Sequence, residues 1–400
     1  MAAVRFATIG TNFITDAFLA ASKDVPGFEL CDAPCTAHPP PPTHTRQTHT
    51  ANPRADPRGV AASVHPSSTP TQTHTLRWTD PRRGTAGRSA AVYSRTPERA
   101  AEYAAQHGCA TTFTSLEELA ACADVDAVYV ASPTSEHAKQ SILLLNAGKH
   151  VLCEKPVVSH AKELEAVLAA AQASGKAFME AMRALKTPVF EAVRAQLAEL
   201  GPCRHFSGFF CQYSSRWPAY LASTASGGDG EVPNAFLPEL SNGALMDLGC
   251  YAVYAAVALL GPPDSVSYAP LMLPTGVDGG GTVLLKYKEG VASLVISKCS
   301  HSWNFTELQT ENGTIRINNL GEFSEAHKRK KGGEPEPLTA EKGPGGLGNI
   351  AFELAAFVQL VQSGGTEDST LTWKLAMDVM KVLDAARDDA GIKFPADATR

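Results

Sequence analysis

Short apolar runs alternate with stretches of helical spacing through the first part of the chain. Val4-Arg-Phe-Ala-Thr-Ile9 reads as a buried strand, followed by a turn at Gly10 and a helix from Ile14 to Ala21 with Thr15 or Asn12 near its cap. Phe28-Glu-Leu30 starts a second strand, which breaks off and resumes at Ala90-Ala-Val-Tyr-Ser-Arg95. A helix is predicted from Pro97 to about His107, and a short strand at Thr111–Phe113. Ser115 and Glu118 form a capping box for a helix through Ala121. Strands at Ala127–Ala131, His150–Cys153 and Ala177–Ala181 then alternate with helices at Glu136–Ala147 and Lys162–Ser174. Such alternation predicts an α/β domain over residues 1–182 with a doubly wound parallel sheet.

The interruption of the second strand has a distinct composition. Residues 31–89 hold ten prolines, no lysine and almost no large apolar side chains. A stretch of that kind buries too little surface to offset its ordering entropy. Removing it joins Phe28-Glu-Leu30 to Ala90-Ala-Val-Tyr93 as one strand of ordinary length. The segment is therefore predicted to be a disordered insertion, of the kind a translated intron would give.

Beyond Arg183 the pattern changes. A helix is expected over about Val189–Glu199, a strand over His205–Tyr213, and a hairpin of Thr282–Tyr287 with Val291–Lys298. Trp303–Thr310 and Gly313–Ile317 add strands, Phe323–Gly346 reads as a loop, and Ile350–Ser363 and Thr372–Ala390 as closing helices. Residues 183–400 are thus expected to form an α+β domain with a largely antiparallel sheet.

Composition narrows the function classes. With 44% hydrophobic and 19% charged residues the chain reads as globular, and a net charge of −6 argues against a nucleic-acid surface. No apolar run reads as long enough to span a bilayer, and a first strand at Val4 leaves no room for a targeting peptide, so a cytoplasmic location and no membrane partner are expected. The nine cysteines lack zinc-like CxxC spacing and read as reduced thiols; no metal is expected.

Candidate chemistry lies at strand ends, where open parallel sheets bind their ligands. Gly10, Thr11, Asn12, Phe13 and Ile14 occupy the place of a dinucleotide fingerprint, although only its first glycine is present. A helix N-terminus there still offers N–H groups and a positive dipole to a pyrophosphate. Ser94-Arg95 ends the second strand where NAD-selective sites carry an acid; an arginine favours the 2′-phosphate of NADP, with NAD as the alternative. Ser132-Pro133 would shape the cofactor channel, and His137 would lie near the nicotinamide or serve structure.

Glu154-Lys155-Pro156 places a lysine at a strand tip, where cofactor would meet substrate. Asp247 and Tyr251, four apart, share a helical face. Tyr251 serves as acid/base if a cation lowers its pKa; Lys155 would supply the cation, and Asp247 would orient the lysine or the substrate hydroxyl. Arg183 binds substrate or pairs with Glu180, and Trp217 lines the pocket or packs in the core.

The strings Ala147-Gly-Lys-His-Val-Leu-Cys-Glu-Lys-Pro156, Met179-Glu-Ala-Met-Arg183 and Gly243-Ala-Leu-Met-Asp-Leu-Gly-Cys-Tyr251 resemble the Gfo/Idh/MocA oxidoreductases. Tyrosine at 251 and Ser94-Arg95 are most similar to the branch of dimeric dihydrodiol, xylose and glucose–fructose oxidoreductases. The resemblance implies a Rossmann domain followed by an open-faced antiparallel sheet, with Lys155 and Tyr251 catalytic. It also implies NADP as cofactor, a sugar or vicinal diol as substrate, and a homodimer or higher homo-oligomer. Short-chain dehydrogenases need Tyr-x-x-x-Lys, which no tyrosine here provides, and hydrolases need a nucleophile elbow, which is missing. The competing class is a non-catalytic nucleotide sensor on the same fold, or a form inactivated by the insertion.

Overall fold

Val4–Ile9 (β1) is buried along almost its whole length, as a strand covered on both faces must be. The computed structural model describes residues 3–30, 91–109, 111–225, 230–339 and 346–400. The predicted insertion, 31–89, lies outside them.

β1 is followed by α1 (Phe13–Ser22), β2 (Phe28–Leu30), β3 (Ala91–Tyr93), α2 (Pro97–His107), β4 (Thr111–Phe113) and α3 (Leu116–Ala121). Next come β5 (Ala127–Val130), α4 (Thr134–Asn146), β6 (His150–Glu154), α5 (Ala161–Ser174) and β7 (Phe178–Ala181). All pairings among these strands are parallel, in the order β4-β3-β1-β5-β6-β7, with β2 also on β1. The two half-strands share one lane. Val4, Arg5 and Phe6 pair with Phe28, Glu29 and Leu30, and Ala7, Thr8 and Ile9 pair with Ala91, Val92 and Tyr93. Leu30 and Ala91 therefore take consecutive register positions, one residue on from the Leu30–Ala90 junction of the joined sequence.

The second sheet belongs to α6 (Pro188–Leu200), β8 (Cys203–Cys211), α7 (Trp217–Thr224), α8 (Cys250–Leu260), β9 (Ser265–Met272), β10 (Asp278–Lys286) and β11 (Val291–Ser297). It continues through β12 (Thr306–Thr310), β13 (Gly313–Ile317), β14 (Ala326–Lys330) and β15 (Glu336–Pro337). The order is β15-β14-β13-β12-β8-β11-β10-β9, antiparallel except for β8 with β11. β14 and β15 correct the loop expected over 323–346. Their polar side chains hide the strand pattern, and the edge strand β15 is kept to two residues with a proline, one way that exposed sheet edges avoid unwanted pairing.

One face of this sheet is core. Val283, Leu285, Leu294 and Ile296 are buried, while Leu284 and Val291 on the other face are exposed. The buried face packs against α8, where Phe210 meets Tyr251 edge-on at 5.2 Å. The helical stretch Pro238–Leu260 has the length and apolarity of a membrane span, contrary to the sequence reading, but 78% of its apolar window is buried inside the fold. Its apolarity is what a central core helix requires.

Of the closing helices, α9 (Ile350–Gln362) returns to the parallel sheet, where its Phe357 packs edge-on against Phe6 of β1 at 5.9 Å, and α10 (Trp373–Ala390) packs along β9, α8 and α5. Cys122 is disulfide-bonded, which corrects the all-thiol reading; cysteine parity and spacing say nothing about a single pair.

Candidate active site

The chain runs outward from β1 to β4 and then returns beside β1 as β5, so the strand order reverses between β1 and β5. Open α/β sheets bind ligands at the carboxyl ends of such strands. Gly10 leaves β1 with φ +111°, and a Cβ there would lie 2.5 Å from the Ala131 carbonyl oxygen. Only glycine fits both the backbone conformation and the close approach.

The turn after Gly10 is tied on both sides. Asn12 donates to the Ala131 carbonyl at 2.8 Å and accepts from the Ile14 and Thr15 N–H groups, capping α1. Phe13 is 72% exposed at the first turn of α1. Arg99 of α2 donates to the Thr11 carbonyl at 3.0 Å and hydroxyl at 3.2 Å. Arg99 lies four residues beyond Arg95, which is exposed ahead of α2, and joins the candidate cofactor residues. The i,i+4 spacing of the two arginines is visible in the sequence, but the reach of Arg99 to Thr11 is a tertiary contact.

His137 is buried, with Nε2 2.8 Å from the Ser132 carbonyl oxygen and Nδ1 3.1 Å from that of Pro156. It clamps two strand-end loops together, and burial holds its pKa down. Ser132 donates to Gln140 at 2.7 Å. The Lys155–Pro156 bond is cis.

The Lys155 ammonium donates to the Asp247 carbonyl and to Asp247 Oδ1, both at 2.9 Å. Asp247 lies in a π-helical turn, Leu245–Gly249, that leads into α8. Single π turns recur at functional sites, and this one shifts Asp247 and Tyr251 from the α-helical spacing the sequence suggests. The turn is anchored by Asp278, which accepts from the Leu245 N–H at 2.7 Å and from Tyr268 at 2.6 Å. Gly243, at φ +138°, leaves the space that Asp278 fills.

A second lysine was not foreseen. Lys298, at the end of β11, donates to Asp247 Oδ2 at 2.8 Å and to the Ala235 carbonyl at 3.2 Å. With a cation on each oxygen, the Asp247 carboxyl is held far below the usual range despite the opposing cost of burial. Its partner Lys155 is pushed well above the ordinary lysine value, since these attractions outweigh its desolvation.

Tyr251 is buried, with Lys155 Nζ 4.7 Å and the Arg183 guanidinium 5.7 Å from its ring centroid. Burial raises its pKa and the two cations offset that rise only in part, so the net shift is upward, opposite to the lowering expected from the sequence. Arg183 donates to the Gly346 carbonyl at 2.7 Å and to Asn349, rather than pairing with Glu180. Glu180 accepts from the Val157 N–H and from Tyr254, and burial raises its pKa to about 8. Tyr129 donates to Glu154 at 2.5 Å, and burial raises that carboxyl too. Trp217 stacks on Tyr220 and meets Phe236 edge-on at 5.6 Å, and Phe236 in turn lies 5.1 Å from Lys298 Nζ. The arrangement can hold and move one proton beside a buried phenol flanked by cations.

Known proteins share this architecture. Residues 68–182 match "Oxidoreductase family, NAD-binding Rossmann fold", and residues 190–316 match "GFO/IDH/MocA C-terminal domain". The scyllo-inositol 2-dehydrogenase (NADP(+)) IolU of Bacillus subtilis is 36% identical over 98% of this chain and 99% of its own. D-xylose 1-dehydrogenase (NADP(+)) 2 of Haloferax volcanii is 30% identical over 76% of this chain and 89% of its own. Among solved structures, levoglucosan dehydrogenase in complex with NADH and L-sorbose superposes with a TM-score of 0.71 at 17% identity, covering 98% of this chain and 97% of that one. With two matched domains and a relative aligned almost end to end, this chain belongs to the Gfo/Idh/MocA family of oxidoreductases.

Proposed function

We propose that the protein is an NADP-dependent oxidoreductase acting on a CH–OH group of a sugar, cyclitol or vicinal diol. The observation that carries this reading is the convergence of Lys155, Asp247 and Tyr251 at the carboxyl end of β6. The 36% and 30% identical relatives, named as NADP-dependent dehydrogenases of an inositol and a sugar, support the substrate class.

A dinucleotide fits the residues present. The glycine turn passes tight against the Ala131 carbonyl with no side chain in the way, and Asn12 and Phe13 at the start of α1 are exposed. Thr11, Asn12, Phe13 and Ile14 would line the pyrophosphate. Ser94, Arg95 and Arg99 would hold the adenosine ribose and its 2′-phosphate, and Ser132, Pro133, His137 and Glu154 would border the nicotinamide end. When bound, nicotinamide supplies or takes up the hydride.

The chain's own residues manage the proton. An ammonium has three donors. Two of those on Lys155 are fixed on Asp247, which aims the third toward a substrate oxygen. Tyr251 takes the hydroxyl proton in oxidation and returns it in reduction, with Lys155 and Arg183 stabilising its ionised form. Asp247 keeps Lys155 charged and oriented. Arg183 and Trp217 are the candidate substrate-facing residues.

A homo-oligomer through the open face of the second sheet is part of this reading. Leu284 and Val291 are exposed there, Phe209 stacks on Phe305 at 5.2 Å, and Trp303 is 92% exposed. The deciding experiment is a panel of inositols, pentoses, hexoses and diols with NADP and NAD, run beside Lys155→Met. Turnover of a polyol with NADP, abolished in the variant, is expected. Cofactor binding without turnover of any polyol would instead support a sensor.

A further inference from the structure

We propose that Lys298 is a positioning residue of the proton-transfer site: by occupying Oδ2 of Asp247 it fixes the carboxylate so that only Oδ1 faces Lys155. The inference rests on the function proposed above.

The geometry is specific. Lys298 is 2% exposed, so its ammonium has left water entirely, a costly step unless it is paired. It is the first residue after β11, and its own N–H donates to the Gly279 carbonyl at 2.8 Å, which fixes the backbone from which the side chain reaches. The ammonium spends its donors on Asp247 Oδ2 and the Ala235 carbonyl and lies over the Phe236 ring. Asp247 thereby bridges two cations from different elements, Lys155 at the tip of the parallel sheet and Lys298 at the end of the second sheet.

A carboxylate with one cation can rotate and present either oxygen. With both oxygens occupied it cannot, and Lys155 receives a single fixed hydrogen bond direction. Preorganisation of this kind is what proton transfer requires of its supporting groups.

The charged and titratable groups around Asp247 are few. Lys155 and Lys298 act on it directly, and Cys250 and Tyr251 follow it on its own helical segment. Glu154 and Glu180 face Lys155 from the parallel sheet, Arg183 faces Tyr251, and Asp278 and Cys299 face Lys298. Of these, only Lys298 can be removed without touching the lysine–phenol pair itself and while still leaving Asp247 one cation.

The test compares Lys298→Met, Lys298→Gln and Lys298→Arg in the full chain, with two readouts. The first is the pH profile of kcat/KM. The second, independent of turnover, is the titration of the Asp247 carboxyl by 13C NMR, assigned through its loss in Asp247→Asn. Removing a contacting cation raises a carboxylate pKa by about 1–3 units. Lys298→Met should therefore bring the Asp247 titration up into view and add an acid limb at the same pH. It should also lower kcat about 10²-fold with the KM for NADPH unchanged. Lys298→Arg should restore both, and Lys298→Gln, a neutral donor, is read in place of Lys298→Met if the latter does not fold. A purely structural lysine would lower the melting temperature and, by its contact, still move the Asp247 titration, yet leave kcat unchanged; an unchanged kcat in folded Lys298→Met overturns the proposal. If the wild type turns over no polyol, the proposed function fails; the 13C titration then reads the Lys298–Asp247 contact by itself, and an unmoved Asp247 signal in Lys298→Met overturns the contact on which the inference rests.

Discussion

Lys155 Nζ lies over the ring of Tyr251, 4.7 Å from its centroid, while its hydrogen bonds go to Asp247. The lysine thus acts on the phenol through its field and on the carboxylate through contact. Lys155→Met should cut kcat by about 10²–10⁴-fold, the usual worth of a positioned proton-transfer group. Tyr251→Phe should do the same, since it removes only the hydroxyl. Fluorescence titration with NADPH should show near-normal affinity in both variants. Full turnover in either would remove its assigned role.

Gly10→Ala tests the cofactor turn. A methyl group there must leave φ +111° or displace the Ala131 carbonyl. A strained position of this type costs about 1–3 kcal/mol. The expected result is a lower melting temperature together with a loss of NADPH affinity of about ten-fold or more, measured by calorimetry.

The two arginines of the adenosine end should separate by cofactor. Arg95 is exposed and bonds no part of the turn, so Arg95→Ala should weaken NADP by about ten-fold, or ~1.4 kcal/mol, and leave NAD unchanged. Arg99 holds Thr11 in place, so Arg99→Ala should weaken both cofactors. Equal losses for NADP and NAD in Arg95→Ala would rule out 2′-phosphate selection by that residue.

Glu180 makes stability depend on pH. Its folded pKa of about 8 lies above the ordinary 4.5, so the folded state keeps a proton that the unfolded chain releases. Its carboxyl therefore favours folding most in acid, and that contribution fades as pH rises from 4.5 to 8. Glu154 and Glu353, also raised by burial, act in the same sense. His150, lowered to about 4, works oppositely but only below its ordinary 6.5. Between pH 6.5 and 8.5 the melting temperature should fall by several degrees, and Glu180→Gln should flatten that slope. A wild-type melting temperature that rises over this window would contradict the assignment.

The parallel half was legible because its signals are local. Caps at Asn12 and Ser115, the strand runs, and the interrupted lane at Leu30 and Ala91 are all written in adjacent residues. Lys155 and Tyr251 stood out for the same reason, each lying in a dense local string. What escaped depends on distance along the chain. Lys298 is 51 residues from Asp247 and looks like any residue at a strand end. Arg99 is 88 residues from Thr11. β9, with side chains largely exposed, carries no alternating signal, and β14 hides its pairing behind lysine and arginine. The π turn at 245–249 appears in the sequence only as an apolar run, since nothing local distinguishes it from the α-helix that follows.

The broken lane beside β1 has a consequence for the integrity of the molecule. The ladder is complete without a covalent link between Leu30 and Ala91, because each half-strand pairs with its own part of β1. The amino-terminal unit of β1, α1 and β2 is also anchored by aromatic stacking, with Phe18 3.9 Å from Tyr129 and Phe6 against Phe357. A chain severed within 31–90 would therefore still seat its small amino-terminal fragment in the large one through these strand pairings and ring contacts. Protease nicking in that stretch would make a two-piece enzyme, and separately expressed pieces could reconstitute it by complementation.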